Sequence, residues 1–192
     1  MRIISGKFKG RRFEPPADKW PTRPTTDYAK EGLFNVLNNR LDFSEQRALD
    51  LFGGTGSHDY ELISRGCCDV TYVDKHPPAV AFVKRTVATL GVEDCIQIWR
   101  MDVFQFIARP VTEPYSYIFA DPPYPLPNIP ELPGLIMGAG LLAPGGLFVL
   151  EHNPHHDFSA AVNCTEVRTY GKTIFSFFEG EPTADRLDEG IG

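Results

Sequence analysis

Asp50-Leu51-Phe52-Gly53-Gly54-Thr55-Gly56-Ser57 is the stretch on which the fold turns. A short apolar run, Ala48–Phe52, ends in three glycines within four residues, and a helical pattern follows from residue 57. Glycine tolerates a positive φ and brings backbone close to a ligand with no Cβ in the way. A strand that enters a helix through such a turn opens a crevice at its carboxyl end, where parallel sheets bind ligands. The same glycines would also serve a plain tight turn, so the meaning of the loop depends on what surrounds it.

Working outward, apolar strands are expected at Ala48–Phe52, Val70–Asp74, Cys95–Met101, Tyr115–Ala120 and Leu147–Glu151, with helices near 57–66, 77–90, 103–108 and 130–140 between them. Pro77-Pro78 suits a helical first turn, which does not use proline's missing N–H, and Gly91 suits the exit. Strands and helices alternating at these lengths predict a mostly parallel sheet covered on both faces, a Rossmann-like α/β fold. The alternation then breaks. Thr165–Tyr170 and Thr173–Phe178 read as two strands joined tightly through Gly171-Lys172, so the sheet should finish with an antiparallel member. Upstream, a helix is expected from about Thr26, with Leu33, Phe34, Val36, Leu37 and Leu41 as its buried stripe.

Acids at successive strand ends sharpen the loop's meaning. Asp74 ends the second strand, 24 residues after Asp50, where a carboxylate can accept both ribose hydroxyls. Asp102 follows the third strand, where it could accept from an adenine amino group. Each alone would be an ordinary helix N-cap. Together with the glycine loop they suit a nucleoside with a cationic end, and S-adenosylmethionine is such a ligand. A nicotinamide dinucleotide is disfavoured. The Gly-x-Gly-x-x-Gly pattern ends here in Asp59, an acid where a pyrophosphate would lie.

Asp121-Pro122-Pro123-Tyr124 follows the fourth strand and opens onto the same crevice. The two prolines remove N–H donors and leave carbonyl acceptors. A carboxylate and the Pro122 carbonyl can grip both hydrogens of an exocyclic amine while Tyr124 offers a flat face to a base. That arrangement positions a weakly nucleophilic aryl amine for methyl transfer.

Composition bounds the partners. The chain of 192 residues is 42% hydrophobic, enough for one core, and no apolar run approaches the roughly 20 residues of a membrane span. Residues 1–31 carry a net +4 and the remainder −10, giving −6 in all. An acidic body with a basic arm docks nucleic acid at one place and does not coat it. Ile3-Ile4, Ser5-Gly6 and Lys7–Phe13 read as a small β-hairpin with Lys7, Lys9 and Arg11 on one face, continued by an extended Pro15–Pro24 connection. The four cysteines, Cys67, Cys68, Cys95 and Cys164, lack the paired spacing of a zinc site and are expected as reduced thiols in a cytoplasmic protein. His152, His155, His156 and Asp157 lie on either side of Asn153-Pro154 with nothing to fix a ligand geometry, so no metal is expected. The expected organisation is a basic arm over residues 1–24, a catalytic domain over 25–179 and a disordered tail over 180–192.

Asp50–Gly56, Asp74, Asp102 and Asp121–Tyr124 resemble the cofactor loop, acidic pair and catalytic tetrapeptide of S-adenosylmethionine-dependent amino-group methyltransferases. The opening Met1–Arg11, the segment Arg23-Pro24-Thr25-Thr26-Asp27 with Glu31, Leu33, Phe34 and Asn35, and Glu151-His152 narrow this. Together they resemble the RsmD-type family, which modifies the N2 amine of a guanine in small-subunit (16S) ribosomal RNA. The resemblance implies a class I methyltransferase fold with a small N-terminal arm. It implies Asp121, Pro122, Pro123 and Tyr124 as catalytic residues, and Asp50, Phe52, Gly53, Gly54, Thr55, Gly56, Asp74, Lys75, Asp102 and Val103 as cofactor contacts. Lys7, Lys9, Arg11, Arg12 and Arg23 are then expected to touch RNA, free or within a small-subunit particle. The chain departs from the family at His58 and Asp59, usually an aliphatic residue and a glycine, and at Tyr28, commonly basic. Asp59 should lie about one turn into its helix, where the dipole tolerates an acid. Two rival readings are an adenine-N6 nucleic-acid methyltransferase, which shares the tetrapeptide, and a non-catalytic RNA-binding assembly factor. A protein-glutamine methyltransferase would usually carry Asn at position 121.

Overall fold

The computed structural model describes residues 1–16 and 26–182. A seven-stranded sheet forms its centre, with strands β1 (Arg47–Leu51), β2 (Asp69–Asp74), β3 (Ile96–Arg100), β4 (Tyr115–Ala120), β5 (Leu142–His152), β6 (Cys164–Tyr170) and β7 (Thr173–Glu179). The spatial order is β3-β2-β1-β4-β5-β7-β6. β1 to β5 are mutually parallel, while β7 runs antiparallel between β5 and β6. The chain winds outward from β1 to β3 and then returns to β4. The crevice between the carboxyl ends of β1 and β4 is therefore the topological switch point, where ligands bind in such sheets.

Helices α1 (Asp27–Leu37), α2 (Ser57–Ser64) and α3 (Pro77–Leu90) contribute to one core, and α4 (Val103–Ile107) and α5 (Leu132–Gly138) to the other. Thr26 caps α1, its Oγ1 accepting from the Ala29 N–H at 3.2 Å. Leu33, Phe34 and Leu37 are buried as the helical period predicts, while Val36 and Leu41 only border the core. Pro77 and Pro78 open α3 and Gly91 closes it at φ 66°, as expected for both. β5 begins five residues before its expected start. Leu142 pairs with Tyr115, and the register then shifts through Ala143-Pro144-Gly145-Gly146 until Leu147 pairs with Tyr117. Proline and glycine there signal a turn, and the structure absorbs them as a bulge.

The N-terminal hairpin reduces to one bridge, Arg2 with Arg12, flanked by Ile3 N–H to Arg11 O and Gly10 N–H to Ile3 O. Phe8 is buried while Lys7, Lys9, Arg11 and Arg12 are exposed. The arm lies along α2. Glu61 accepts the N–H groups of Ile4 and Ser5, and Ser64 accepts those of Lys7 and Phe8.

The cysteine expectation is corrected: Cys68 and Cys95 form a disulfide, leaving Cys67 and Cys164 free. They stand just before β2 and β3, neighbouring parallel strands in which Val70 pairs with Ile96, and their Cα atoms are 4.2 Å apart. Sequence separation concealed this, because a βα crossover brings strand starts together. Of the tail expected to be disordered over 180–192, Gly180 is instead buried, its N–H donating to the Gly146 carbonyl at 2.9 Å and its carbonyl accepting the Gly145 N–H at 3.2 Å. Residues 183–192 lie outside the described part of the chain.

Candidate active site

The loop after β1 is built on close backbone packing. Phe52, Gly54 and Gly56 take positive φ values of 63°, 51° and 74°. A Cβ on Gly53 would lie 2.4 Å from the Tyr72 ring, and one on Gly56 would lie 2.6 Å from the Tyr60 hydroxyl oxygen. The Tyr72 hydroxyl donates to the Gly54 carbonyl at 2.9 Å, and Gly54 N–H donates to Asp74 Oδ2 at 2.9 Å. β2 thus holds the loop at two points. Asp74 Oδ1 also accepts the His76 N–H at 2.7 Å. A carboxylate has about four acceptor positions, so Asp74 keeps capacity for a ligand.

A cavity of about 200 Å³ opens at these strand ends. Phe52, Gly54, Asp74, Lys75, Asp102, Val103, Asp121 and Pro123 line it, drawn together from β1, β2, β3 and β4. Asp102 caps α4 by accepting the Phe104 N–H at 3.0 Å, and Lys75 Nζ lies 3.3 Å from its other oxygen. Apolar walls from Phe52, Ala79, Val103 and Pro123 beside three carboxylates suit a nucleoside that also carries positive charge. Asp50, Gly53, Thr55 and Gly56 are not on the wall, and Asp50 is buried beneath the loop. His76 and Ala79 are wall residues that sequence reasoning missed. Their signal was position, since the strand-end acid Asp74 is followed directly by the entry to α3.

Asp121 continues from β4, its N–H donating to the Leu51 carbonyl at 3.3 Å across the switch point. Pro122 is buried, Pro123 is exposed on the cavity wall, and Tyr124, the next residue, is exposed but not on that wall. Of the predicted RNA contacts, Lys7 sits at the Ser64 end of α2, whereas Arg2 and Lys30 meet at the Ser57 end, nearer the cavity. Arg12 bridges to Arg2 and so shares that nearer end. Arg23 lies outside the described residues.

Beneath the loop sits an acid pair. Asp50 and Asp59 are both fully buried and face each other, and Asp50 Oδ1 and both Asp59 oxygens lack an ordinary hydrogen-bond partner among the described residues. Burial pushes the Asp59 carboxyl up to about 8, and burial with Asp59 opposite raises Asp50 as well. Asp59 lies in the first turn of α2, as expected, but it is fully buried, so burial outweighs the helix dipole there. Fully enclosed, both carboxyls are favoured in the neutral form, because burial penalises either charge. His58, stacked on Phe119 at 3.8 Å and bonded to the Tyr117 hydroxyl at 2.9 Å, is held well below the usual imidazole range by burial, then by Lys30 and Arg65.

A family model described as Conserved hypothetical protein 95 matches residues 1–179. The Bacillus subtilis (strain 168) protein YlbH, named as a candidate rRNA methyltransferase, is 34% identical over 184 residues, which are 93% of this chain and 98% of that one. Ribosomal RNA small subunit methyltransferase D of Escherichia coli (strain K12) is 30% identical over 151 residues, 79% of this chain and 74% of its own. In solved structures the fold recurs in the T. thermophilus 16S rRNA N2 methyltransferase RsmC in complex with AdoMet and guanosine. The TM-score is 0.66 at 20% identity, over 82% of this chain and 44% of that one. A glycine loop locked to a strand-end carboxylate, a nucleoside-sized cavity and these relatives lead to one conclusion: the chain belongs to the family described as Conserved hypothetical protein 95, the RsmD-type methyltransferases, and is an S-adenosylmethionine-dependent methyltransferase.

Proposed function

We propose that this enzyme methylates the N2 amine of a guanine in small-subunit (16S) ribosomal RNA, in the cytoplasm and on rRNA that is free or held in an assembling small-subunit particle. The observation that carries this is the placement of Asp121 and Pro123 on the same cavity as Asp74 and Asp102. Amine-binding and cofactor-binding acids thus share one space. The name of the E. coli relative supports the ribosomal substrate.

In this reading Asp74 holds the ribose hydroxyls, Asp102 the adenine, and Phe52 and Val103 the faces of the cofactor. When bound, S-adenosylmethionine supplies an electrophilic methyl carbon on a sulfonium centre. The Asp121 carboxylate and the Pro122 carbonyl each accept one N–H of the target amine and aim its nitrogen into the cavity. Such alignment can remove up to roughly 7–11 kcal/mol of a barrier. Asp121 also faces the positive charge that grows on nitrogen and stabilises it without first removing a proton. Tyr124 stacks the base, which has left its helix or loop at a cost of about a few kcal/mol.

Methyl transfer from labelled cofactor to isolated small subunits, naked rRNA and DNA tests the reading, with mass spectrometry of nucleosides from the digested product. N2-methylguanine in rRNA is the expected result. N6-methyladenine overturns the guanine assignment, and transfer to none of the three overturns the reading.

A further inference from the structure

Two residues of the family-like segment, Glu31 and Asn35, stand outside the core. Both are exposed, one helical turn apart on α1, and they open into a groove of about 560 Å³ between α1 and the β6–β7 hairpin. Tyr28 forms one side and is 70% exposed. Tyr170, the last residue of β6, lies so close to Gly32 that a Cβ there would be 2.2 Å from its ring. The two tyrosine rings meet edge to face with centroids 5.7 Å apart. Asn39 completes the wall and donates its amide to the Asn35 carbonyl at 3.0 Å.

The fold puts this groove on the catalytic side. β7 is antiparallel to β5 and its Ile174 pairs with His152, so the hairpin tip stands at the edge from which Asp121 emerges. α1 begins at that same edge, since Lys30 Nζ donates to the hydroxyl of Ser57, the first residue after the cofactor loop. Among the described residues the lining has aromatic faces, two carboxamides and one carboxylate, and no lysine or arginine. That chemistry repels phosphate. It suits an unstacked nucleobase, whose face lies on a tyrosine and whose N–H edge donates to Glu31.

We propose that the groove is a second nucleobase subsite, holding a base of the same RNA whose target base lies against Tyr124. It rests on the ribosomal RNA reading above, and it gives α1 and the terminal hairpin a part in substrate recognition. Tyr28 then acts by stacking, where a basic residue would act by charge.

The test is equilibrium binding of a labelled 16S rRNA fragment and of isolated small subunits at several salt concentrations. Wild type, Tyr28→Phe, Tyr28→Ala and Asn35→Ala are compared. Tyr28 is an exposed side chain, so its removal spares the fold, and unchanged S-adenosylmethionine affinity by calorimetry verifies that. Tyr28→Ala should weaken RNA binding about five- to 150-fold, the range for removing one stacked base, with the salt slope unchanged. Asn35→Ala should weaken it by a smaller factor, and Tyr28→Phe should bind as wild type does. Ultraviolet crosslinking of the wild-type complex should leave a nucleotide on the peptide carrying Tyr28 or Tyr170. Equal binding by Tyr28→Ala, where the wild type binds and methylates rRNA, overturns the subsite alone. A crosslink from these peptides to a ribosomal protein overturns it in favour of a protein partner. Wild-type chain that neither binds nor methylates rRNA overturns the functional reading, and the subsite with it.

Discussion

Lys30 reaches Glu61 across the α1–α2 contact at 3.4 Å, and neither side chain is more than 5% exposed. Glu61 also accepts the Ile4 and Ser5 N–H groups and two guanidinium nitrogens of Arg65. One buried carboxylate therefore ties the arm, α1 and α2 together. Burial holds Lys30 below its ordinary range despite the acid beside it. The site is therefore dry enough for an unpaired charge to be costly.

Glu61→Gln should accordingly cost about 3–5 kcal/mol of stability, because Lys30 and Arg65 lose their counter-charge while remaining enclosed. Urea unfolding measures this, and hydrogen exchange should show Ile4 and Ser5 losing protection. A variant as stable as wild type would show that the pair is replaceable and that apolar packing of Ile3 and Phe8 holds the arm.

The Asp50–Asp59 pair gives stability a pH dependence whose sign follows from burial. The native Asp59 carboxyl sits at about 8, above an unfolded value of about 3.9, so the folded chain keeps a proton that the unfolded chain releases. The stability from that proton is complete at low pH and is lost as pH rises towards the native value. Buried neutral His58 works the other way, costing stability as pH falls below about 6.5. Between about pH 6.5 and 8 the acid pair dominates, so wild-type stability should fall across that window. Asp59→Asn, which cannot ionise, should make the fall shallower, while Asp50, raised first by its own burial, keeps its share of it. Thermal unfolding at the two ends reads it directly, and parallel pH profiles for variant and wild type would exclude Asp59 as a cause.

These two clusters also mark where sequence reasoning reached its limit. The β/α alternation, the exit of β1 into glycines and the tetrapeptide after β4 are local patterns, and the strands and cavity followed from them. The Asp50–Asp59 pair, the Lys30–Glu61 ion pair and the Cys68–Cys95 disulfide join residues from different elements. No periodicity reveals that Asp59 points inward beneath the loop, since a polar residue in a first helical turn ordinarily faces water. His76 and Ala79 were missed for a related reason. A helix entrance becomes a cavity wall only when the neighbouring strand ends are laid beside it.

The basic arm should contribute charge to RNA binding. Arg11→Ala with Arg12→Ala should lower the salt slope by about 1–2 units, because each phosphate left without its arginine keeps its counterion. Filter binding across a salt series checks it. Arg12 belongs to the end of the arm nearer the cavity and Lys7 to the far end of α2, so Lys7→Ala should shift the slope less. An unchanged slope in the double variant would leave both arginines as solvated surface.

Binding and chemistry should separate at two acids that share one cavity. Asp74 anchors the Gly54 N–H on the cavity wall, and its proposed partners are the ribose hydroxyls. Asp74→Ala should therefore weaken S-adenosylmethionine by about 1–3 kcal/mol, the scale for hydrogen bonds to a charged group. Asp121 emerges from β4 on the opposite side of the switch point, and its proposed partner is the target amine. Asp121→Ala should nearly abolish turnover while calorimetric affinity for the cofactor stays close to wild type. Tyr124→Ala should be milder, losing about 1–3 kcal/mol of stacking. Full activity in Asp121→Ala would overturn the amine-gripping mechanism even if the product nucleoside proved correct. A large loss of cofactor affinity in that variant would instead move Asp121 into the cofactor site and leave the amine to the Pro122 carbonyl alone.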